Sequence, residues 1–529
     1  MIKLKIPYKF RTLLSKKYLD FAEILPKFGG SFIATLQRIR EHQRIESERD
    51  YKESRAPTGV QVEYYGLRLI EIFHIEEFGK LQNGILQLFP GTERNYMNRE
   101  SLGTFREFAE TIDMGGMKYL GIIFRERRKW MPFSHSSYTM ETLPSSVDYI
   151  KVAIHKYLSS MIILTLDVHL TQEATRIMLG FQDSHYLSEV SFTHLFPWQI
   201  RRSGYSYNMT EHIRIDKINI WHNKLRTDIE ECIKPFFDGY FMQQQNKNRI
   251  PLLPATELYG ITGLSDNEEC WKNLNDKSRD WLRSFGYDIF YSAYGNKEVI
   301  INELEQEEPD NNILTQVTVR NESFLKNIKS DNFDDKREEI MNEITNIVLD
   351  GMLFCTALNN IIKTSRKHIE KIRTDIFSNM KTNRSGMKRY IELGCIINQE
   401  SMLLKRISME YEQGKKYILF RMNNLKELNE ILTIKTQGQS LNFKEAMVES
   451  INFNMKRLQE HVSLIKTEFS DYLNVQNIKE MHNLQVWILW FTAIVTFATL
   501  LGLLANWQDV VINFNGIIDR FFQIVSLKK

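Results

Sequence analysis

The feature that most constrains this chain is an uninterrupted apolar stretch near its C-terminus. Val486–Ala505 reads VWILWFTAIVTFATLLGLLA, twenty residues without a charged side chain. At about 1.5 Å of rise per residue, a helix of that length matches the roughly 30 Å hydrocarbon core of a bilayer. Trp487 and Trp490 lie near one end and Trp507 lies just past the other, where amphipathic rings favour the headgroup layer. We therefore predict a transmembrane helix over 484–507.

Composition and charge are those of a folded, water-facing protein. Of the 529 residues, 43% are hydrophobic and 26% are charged, which is ordinary for globular domains. The net charge of +3 is too small to indicate a nucleic-acid partner. The four cysteines are widely spaced and include no CxxC pair, a pattern that favours buried thiols in a reducing compartment over disulfides or a zinc site.

The N-terminal segment, residues 1–58, is basic. It lacks the apolar run and the small-residue cleavage site of a secretory signal. We therefore expect the bulk of the chain to be cytoplasmic and attached to the inner (plasma) membrane near its C-terminus. The basic residues fit an ordinary solvated face, or alternatively a surface that approaches anionic lipid headgroups or a polyanionic ligand. The polar stretch 46–59 ends in Pro-Thr-Gly and predicts a loop.

Residues 59–302 predict a mixed α/β domain, because short β-like and helical patterns alternate through them. Thr171 has the position of a helix N-cap. The expected strands are at 60–73, 118–124, on either side of Ser159-Ser160 in 149–170, and as a pair around 289–301. The expected helices are at 76–89, 210–242 and 270–285.

The acidic, proline-containing stretch Glu303–Asn312 indicates a domain boundary, and we assign 303–330 to a linker. The composition then changes to a stalk over 331–483, whose pattern predicts three long helices at about 334–381, 386–430 and 441–507, the last running into the membrane. The predicted fold class is therefore α+β: a mixed cytoplasmic domain, long antiparallel α-helices forming a coiled-coil stalk, and a C-terminal transmembrane helix.

The last of these helices carries a heptad-like pattern. Its apolar residues step by three and four, which is typical of a coiled-coil seam. They are Val448, Ile451, Met455, Leu458, Val462, Ile465, Phe469 and Tyr472. After a slip through Val475 and Ile478, the spacing resumes into the apolar stretch. There it places four polar side chains on one face: Thr492, Thr496, Thr499 and Asn506.

A polar face within lipid is best explained by another helix or by water, so these four residues are candidate pore-lining positions. Threonines can also bond their own helix backbone, which would make the face inert. Symmetry-related copies and the two preceding helices are both suitable partners for the seam. The tail, 508–529, is amphipathic and predicts an interfacial helix, or alternatively a short second span.

The search for chemistry identifies binding residues rather than a catalytic motif. Two basic runs could hold an anionic ligand, because guanidinium groups bind phosphate bidentately and a tyrosine ring can stack on a base. The candidate residues are Arg125, Arg127, Arg128, Arg201, Arg202 and Tyr205, with Tyr207 as the alternative ring. The alternative interpretation is exposed surface arginines.

Some histidines and carboxylates have a spacing that could suit a metal, but such spacings occur by chance in a chain with twelve histidines. They are Asp167, His169 and Glu173, and separately Asp183, His185 and His194. We therefore predict no metal site, no cofactor and no enzymatic activity.

The layout of an α/β domain, two long helices and a very long helix entering the membrane resembles the CorA family of metal-ion transporters. The sequence over 472–507 is similar to that family's stalk and first membrane helix. The Gly-Met-Asn signature of the family is absent, and Leu504-Ala505-Asn506 stands at the matching place. Proteins of this kind that lack the signature also occur as CRISPR-associated membrane effectors in antiviral defence, whose soluble domain is thought to bind a nucleotide-type messenger.

The resemblance implies a homo-oligomer, with a pentamer as the family's expected form, and partners that comprise the lipid bilayer, a nucleotide-type ligand and a cation. The first hypothesis is thus a ligand-gated ion channel or membrane effector. One alternative is a tethered scaffold or enzyme that uses the apolar helix only as an anchor. The other is a divalent-cation (magnesium) transporter.

Overall fold

The structure is a computed structural model, and over its described residues the chain is mixed α+β. It describes residues 8–24, 31–53, 56, 59–89, 116–125, 138–192, 205–243, 252–263, 292–295, 299–304, 314–320, 333–382, 387–423, 432–433, 443–505, 515–520 and 523. The chain divides into two compact units. Unit 1 comprises residues 1–368 and 402–457, and unit 2 comprises residues 369–401 and 458–529.

A ten-stranded sheet in the order β12-β9-β10-β11-β8-β1-β5-β4-β2-β3 forms the centre of unit 1. The pairs β11–β8 and β2–β3 are parallel and the other neighbours are antiparallel. A separate hairpin pairs β6 with β7. The strands are β1 (Gln61–His74), β2 (Gly116–Phe124), β3 (Tyr138–Met140), β4 (Val147–Leu158), β5 (Met161–Leu170), β6 (Glu189–Phe192), β7 (Tyr205–Asn208), β8 (Ala255–Thr262), β9 (Ser292–Gly295), β10 (Val299–Leu304), β11 (Leu314–Arg320) and β12 (Leu432–Thr433).

The helices alternate with these strands along the sequence and make up most of the described residues in the second half of the chain. A π-helical turn, Thr345–Leu349, joins α6 to α7. The α-helices are α1 (Tyr8–Ile24), α2 (Ser31–Glu53), α3 (Phe78–Leu88), α4 (Gln172–Asp183), α5 (Thr210–Ile233), α6 (Phe333–Ile344), α7 (Asp350–Thr382), α8 (Met387–Asn423) and α9 (Phe443–Ala505).

The central strands are covered on both faces. Every residue of β5 is buried, as are eleven of the twelve residues of β4. Strands buried on both faces read as nearly continuous apolar runs, and MIILTLDVHL in β5 has that character. The hairpin and helices α1 and α2 form a satellite core around Leu19, Leu36 and Phe192.

Most of the expected elements are confirmed. The strands predicted at 60–73 and 118–124 are β1 and β2, and the two strands flanking Ser159-Ser160 are β4 and β5. The Thr171 hydroxyl accepts a hydrogen bond from the Ala174 N–H at 3.2 Å, as expected of an N-cap. The three long helices are present, although the first is interrupted by the π-helical turn.

Two predicted boundaries need correction. The linker assigned to 303–330 contains β11, which pairs with β10 on one side and β8 on the other, so the sheet continues beyond residue 302. Its buried Val317 and Val319 alternate with polar neighbours in the sequence, as expected of a strand, but the acidic residues just before them favoured the linker assignment. The loop predicted at 46–59 is helical as far as Glu53, because charged residues there extend the solvated face of α2. The helix predicted at 270–285 lies outside the described residues.

The apolar seam of α9 is buried within the single chain. Val448, Ile451 and Met455 are buried in unit 1, and Leu458, Val462 and Ile465 are buried in unit 2. In unit 2 the Phe469 ring lies so close to Gly394 that a Cβ there would approach it to 2.8 Å. Arg373 of α7 also contacts Glu468 at 3.2 Å. This part of the seam therefore packs on preceding helices of the same chain and needs no second copy to bury it.

Beyond Phe469, nearly all the described side chains of the same helix are exposed. Its segment Met481–Leu500 is long and apolar enough to cross a membrane, and none of it is buried. Val475 and Ile478, just before it, are about 60% exposed. We refer to Met481–Leu500 as the apolar segment. In the tail, residues 515–520 are helical and exposed.

Candidate functional site

A row of charged side chains crosses the middle of the sheet. Asp167 of β5 stands opposite Arg68 of β1 and opposite Lys151 of β4, so all three lie on one face. The Arg68 guanidinium donates two hydrogen bonds to the Asp167 carboxylate, from Nε at 2.6 Å and from Nη2 at 2.9 Å. Bidentate arginine–carboxylate pairs of this kind are among the strongest polar contacts in proteins.

Helices α6 and α7 cover this charged row. Arg68 Nη1 donates to Asp350 Oδ1 at 2.6 Å, and Lys151 Nζ donates to Asn342 Oδ1 at 2.5 Å and lies 3.3 Å from Glu338. Burial acts to lower the pKa of Arg68, but the two carboxylates outweigh it and raise that pKa above its ordinary value. Oppositely charged side chains of the row thus connect strands β1, β4 and β5 to helices α6 and α7 at the start of the long helices.

The π-helical turn lies between these attachments. Asn342 precedes Thr345–Leu349 and Asp350 follows it, and both are hydrogen-bonded to sheet side chains. Single π-helical turns occur frequently at functional sites, since they insert a residue into a helix that is otherwise regular. Here the irregular turn is held at both ends against the sheet.

Two of the residues whose spacing could suit a metal, Asp167 and His169, contact other side chains in the structure. Asp167 is occupied by Arg68, and the His169 ring stacks on Tyr149 with centroids 4.0 Å apart. No cluster of three or more potential metal ligands occurs among the described residues.

The opposite face of the sheet carries a second polar cluster beneath α5. Its members are nearly or fully buried: Tyr64, His222, Arg226, Glu230, Glu257 and Tyr259. Tyr259 donates to Glu257 at 3.0 Å, His222 stacks on Tyr64 with centroids 5.0 Å apart, and Arg226 donates to the Leu253 carbonyl at 2.6 Å.

Burial shifts the pKa values of several side chains in this cluster. It raises the pKa of Glu230, lowers the pKa of Arg226, and, with the charge of Glu257, raises the pKa of Tyr64 well above its usual value. Such groups cluster at functional sites but also occur in structural networks. In this cluster the Glu230 carboxylate accepts both the Leu252 and Leu253 N–H groups, which fixes the entry to β8.

A pocket of about 470 Å³ opens on the outer side of α5. One wall is the turn at residues 142–146, and the other is a helical stripe formed by Trp221, Lys224, Leu225, Asp228, Glu231 and Cys232. The turn is fixed by its own hydrogen bonds, including Val147 N–H to the Pro144 carbonyl at 2.8 Å and Thr171 N–H to the Ser146 carbonyl at 3.0 Å. This pocket therefore has one fixed backbone wall and one wall of side chains.

Of the residues predicted to bind an anion, Arg125 and Tyr205 fall within the described part of the chain. Arg125 Nη1 donates to the Ser145 carbonyl at 2.5 Å, so this arginine braces the turn that forms the pocket wall. Tyr205 is on the separate β6–β7 hairpin, where its ring contacts Tyr207 and Phe192. The structure therefore does not join these two into one site. Arg127, Arg128, Arg201 and Arg202 lie outside the described residues.

The three candidate pore-lining threonines are exposed on the apolar segment. Each hydroxyl donates to the carbonyl four residues earlier, at 2.7 Å: Thr492 to Ile488, Thr496 to Thr492, and Thr499 to Val495. Each hydroxyl proton is thus satisfied within the helix, while the oxygen keeps acceptor capacity toward the outside. Asn506 lies outside the described residues.

The residues of the charged row and of the buried cluster were not identified from the sequence, except Asp167, which was considered only as a metal ligand. One signal was available, since His222, Arg226 and Glu230 recur every fourth residue on an otherwise apolar helical face. The sequence shows that Arg68 interrupts the apolar pattern of β1. It does not show the partner of Arg68, because Asp350 is 282 positions away. Comparisons of this chain with known protein families, with curated proteins and with solved structures return no match.

Proposed function

We propose that this chain is a homo-oligomeric membrane protein of CorA-like design, in which a ligand-sensing α+β part is joined by long helices to an ion-conducting helix bundle. The observation that carries the proposal is the single 63-residue helix α9, which has an apolar face buried in its first third and is wholly exposed along the apolar segment. A helix whose side chains are apolar on every face needs a nonaqueous surrounding, and its length suits a bilayer. The soluble part is expected to lie on the cytoplasmic side of the inner membrane.

The charged row supports a sensing role for the sheet. A ligand bound at the sheet domain can bias the long helices only if it interacts differently with two states of a connecting element. Arg68 and Lys151 supply such a connection, because they hold α6 and α7 on either side of the π-helical turn. A nucleotide-type anion is the expected ligand, through the basic runs named above.

A second candidate, a scaffold or enzyme held by a plain anchor, is favoured by the threonine geometry. Because each hydroxyl donates to its own helix, the stripe needs no neighbouring helix to satisfy its protons. Cation (magnesium) transport remains the other alternative from the resemblance.

Ion flux into liposomes distinguishes a conducting bundle from an anchor. The purified full chain is reconstituted, and cation and anion flux is compared with that of the triple variant Thr492→Val, Thr496→Val and Thr499→Val. Valine keeps the shape and removes the oxygen that would face a pore. We expect flux from the natural chain and a severalfold change in rate or ion preference in the variant.

Thr467→Val is the matched control. Its hydroxyl makes the same bond, to the Ser463 carbonyl at 3.1 Å, but it lies outside the apolar segment of the same helix. Equal flux from the natural chain and both variants, with equal insertion, would reject a pore lined by the threonines. An absence of flux under every ligand tested, with normal insertion, would favour the anchored scaffold.

A further inference from the structure

The pocket on the outer side of α5 combines an apolar end with an acidic end. Trp221 and Leu225 are one helical turn apart and, with Leu143 and Pro144 from the turn, give an apolar surface. Asp228 and Glu231 follow on the next turns of the same stripe. Residues three apart on a helix are neighbours, with Cβ atoms about 5–6 Å apart, so one small group can reach both carboxylates.

The charges that line the pocket are available to a ligand. Among the described residues, the side chains of Lys224, Asp228 and Glu231 form no hydrogen bond or ion pair with one another or with any other side chain. Two carboxylates against one ammonium leave the lining acidic. The pKa of the Cys232 thiol agrees with an acidic lining. Burial raises this pKa, and the negative charges of Asp228, Glu231 and Glu141 raise it further.

We propose that this pocket binds a small organic cation, with a flat apolar body against Trp221 and Leu225 and an ammonium group between Asp228 and Glu231. Cations are also attracted to the face of an indole ring, which adds to the match. A phosphate or carboxylate ligand would meet two carboxylates against the single ammonium of Lys224. Arg125 is not among the residues that line the pocket, and its Nη1 donates to the Ser145 carbonyl of the turn.

The inference goes beyond the proposed function and does not depend on it. The site is built entirely from residues of unit 1, and a cation could bind there whether α9 conducts ions or only anchors the chain. It is also distinct from the expected anionic ligand, because the two candidate residues that the structure describes, Arg125 and Tyr205, are not among those that line this pocket.

Calorimetry with two matched probes tests the proposal on the full chain in detergent. The probes are 2-phenylethylamine and 3-phenylpropanoate, which share a ring and a chain length and differ in the sign of the end group. We expect the amine to bind and the carboxylate to bind at least about tenfold more weakly. The double variant Asp228→Asn and Glu231→Gln should weaken amine binding by about tenfold or more, since each carboxylate supplies a charged hydrogen bond.

Two controls separate local from general effects. Asp216→Asn changes an exposed carboxylate on the same helix outside the pocket and should leave amine binding unchanged. Alkylation followed by peptide mass spectrometry gives a second readout, in which the amine should slow modification of half-buried Cys232 and leave exposed Cys395 unaffected.

Three results would overturn the proposal. They are equal binding of the two probes, amine binding that survives the double substitution, and no heat or Cys232 protection with the amine up to about 10 mM. None of these outcomes bears on ion flux, so failure here would leave the proposed function standing.

Discussion

The Arg68 side chain is buried in the sheet, and its guanidinium binds two carboxylates. It is 2% exposed, forms two hydrogen bonds with Asp167 and contacts Asp350 at 2.6 Å. Arg68→Met would remove the counter-charge that Arg68 supplies to buried Asp167 and to partly buried Asp350. Since breaking a buried pair from one side costs about 3–5 kcal/mol, we expect a loss of that size in the free energy of unfolding, followed by urea titration and circular dichroism.

Arg406→Met provides the comparison. Arg406 contacts Glu76 at 2.9 Å but is nearly half exposed, so its loss should cost about 1 kcal/mol or less. Equal destabilisation by the two substitutions would mean that the charged row contributes no more than a surface pair.

Glu71 gives a prediction about pH. Its carboxylate accepts N–H groups from Ile72, Phe241 and Met242 at 2.8–2.9 Å while fully buried in β1. Burial raises its pKa to about 8, against the lowering effect of those three bonds. Between the unfolded value near 4.5 and about 8, the folded chain therefore holds a proton that the unfolded chain releases.

Stability should accordingly fall as pH rises through that window. Glu71→Gln cannot titrate, so the natural chain should lose stability relative to it by up to about 1.4 kcal/mol per pH unit between pH 5 and 8. Urea midpoints of both proteins across that range measure the difference. A difference that stays constant with pH would show that Glu71 keeps the same charge in both states.

At the residue scale, the sequence could predict local contacts and not distant ones. The Thr171 cap was predictable because its partner, Ala174, is three residues away. The Arg68–Asp350 contact depends on a sheet register and a helix placement that no local pattern encodes. For the same reason the sequence could not predict that Arg125, a candidate anion-binding residue, donates to the Ser145 carbonyl of the 142–146 turn.

At the scale of elements, α9 changes its surroundings along its length without changing its regularity. Leu458, Val462 and Ile465 are buried, while every described side chain from Met481 to Leu500 is exposed. Apolar periodicity predicted both parts, because long helices and uniformly apolar spans are strong local signals. The strand β11 was missed because it is short and its partners, β8 and β10, are set by topology.

A charge placed within the apolar segment tests its insertion. Val495→Arg puts a guanidinium within the segment and at the middle of the uncharged stretch Val486–Ala505, where translocon scales assign a cost of about 2.5–3.5 kcal/mol. We expect a larger fraction of the variant to be extracted from membranes by alkaline carbonate. Leu464→Arg is the matched control, since Leu464 is a half-exposed apolar residue of α9 outside the segment. Equal extraction of both variants and the natural chain would mean that the segment does not span.

At the scale of the whole molecule, the seam changes from an internal contact to an unpartnered surface. Its residues up to Ile465 are buried by the same chain, so symmetry-related copies are not needed there. Val475 and Ile478 are one turn apart on α9 and about 60% exposed, just before the apolar segment. Exposed apolar side chains at this place, next to the apolar segment, are suited to contact the same helix in neighbouring copies.

The double variant Val475→Asp and Ile478→Asp should therefore weaken self-association. Light scattering of the full chain in mild detergent, corrected for bound detergent, is expected to give an integral multiple of 62.7 kDa for the natural protein and a shift toward one chain for the variant. Like charges brought together around a symmetry axis repel, which opposes assembly directly. Leu464→Asp, at an exposed position earlier on α9, should leave the mass unchanged. A natural chain that is already monomeric would remove the partner that a threonine-lined pore requires, and the anchored scaffold would then be the better account.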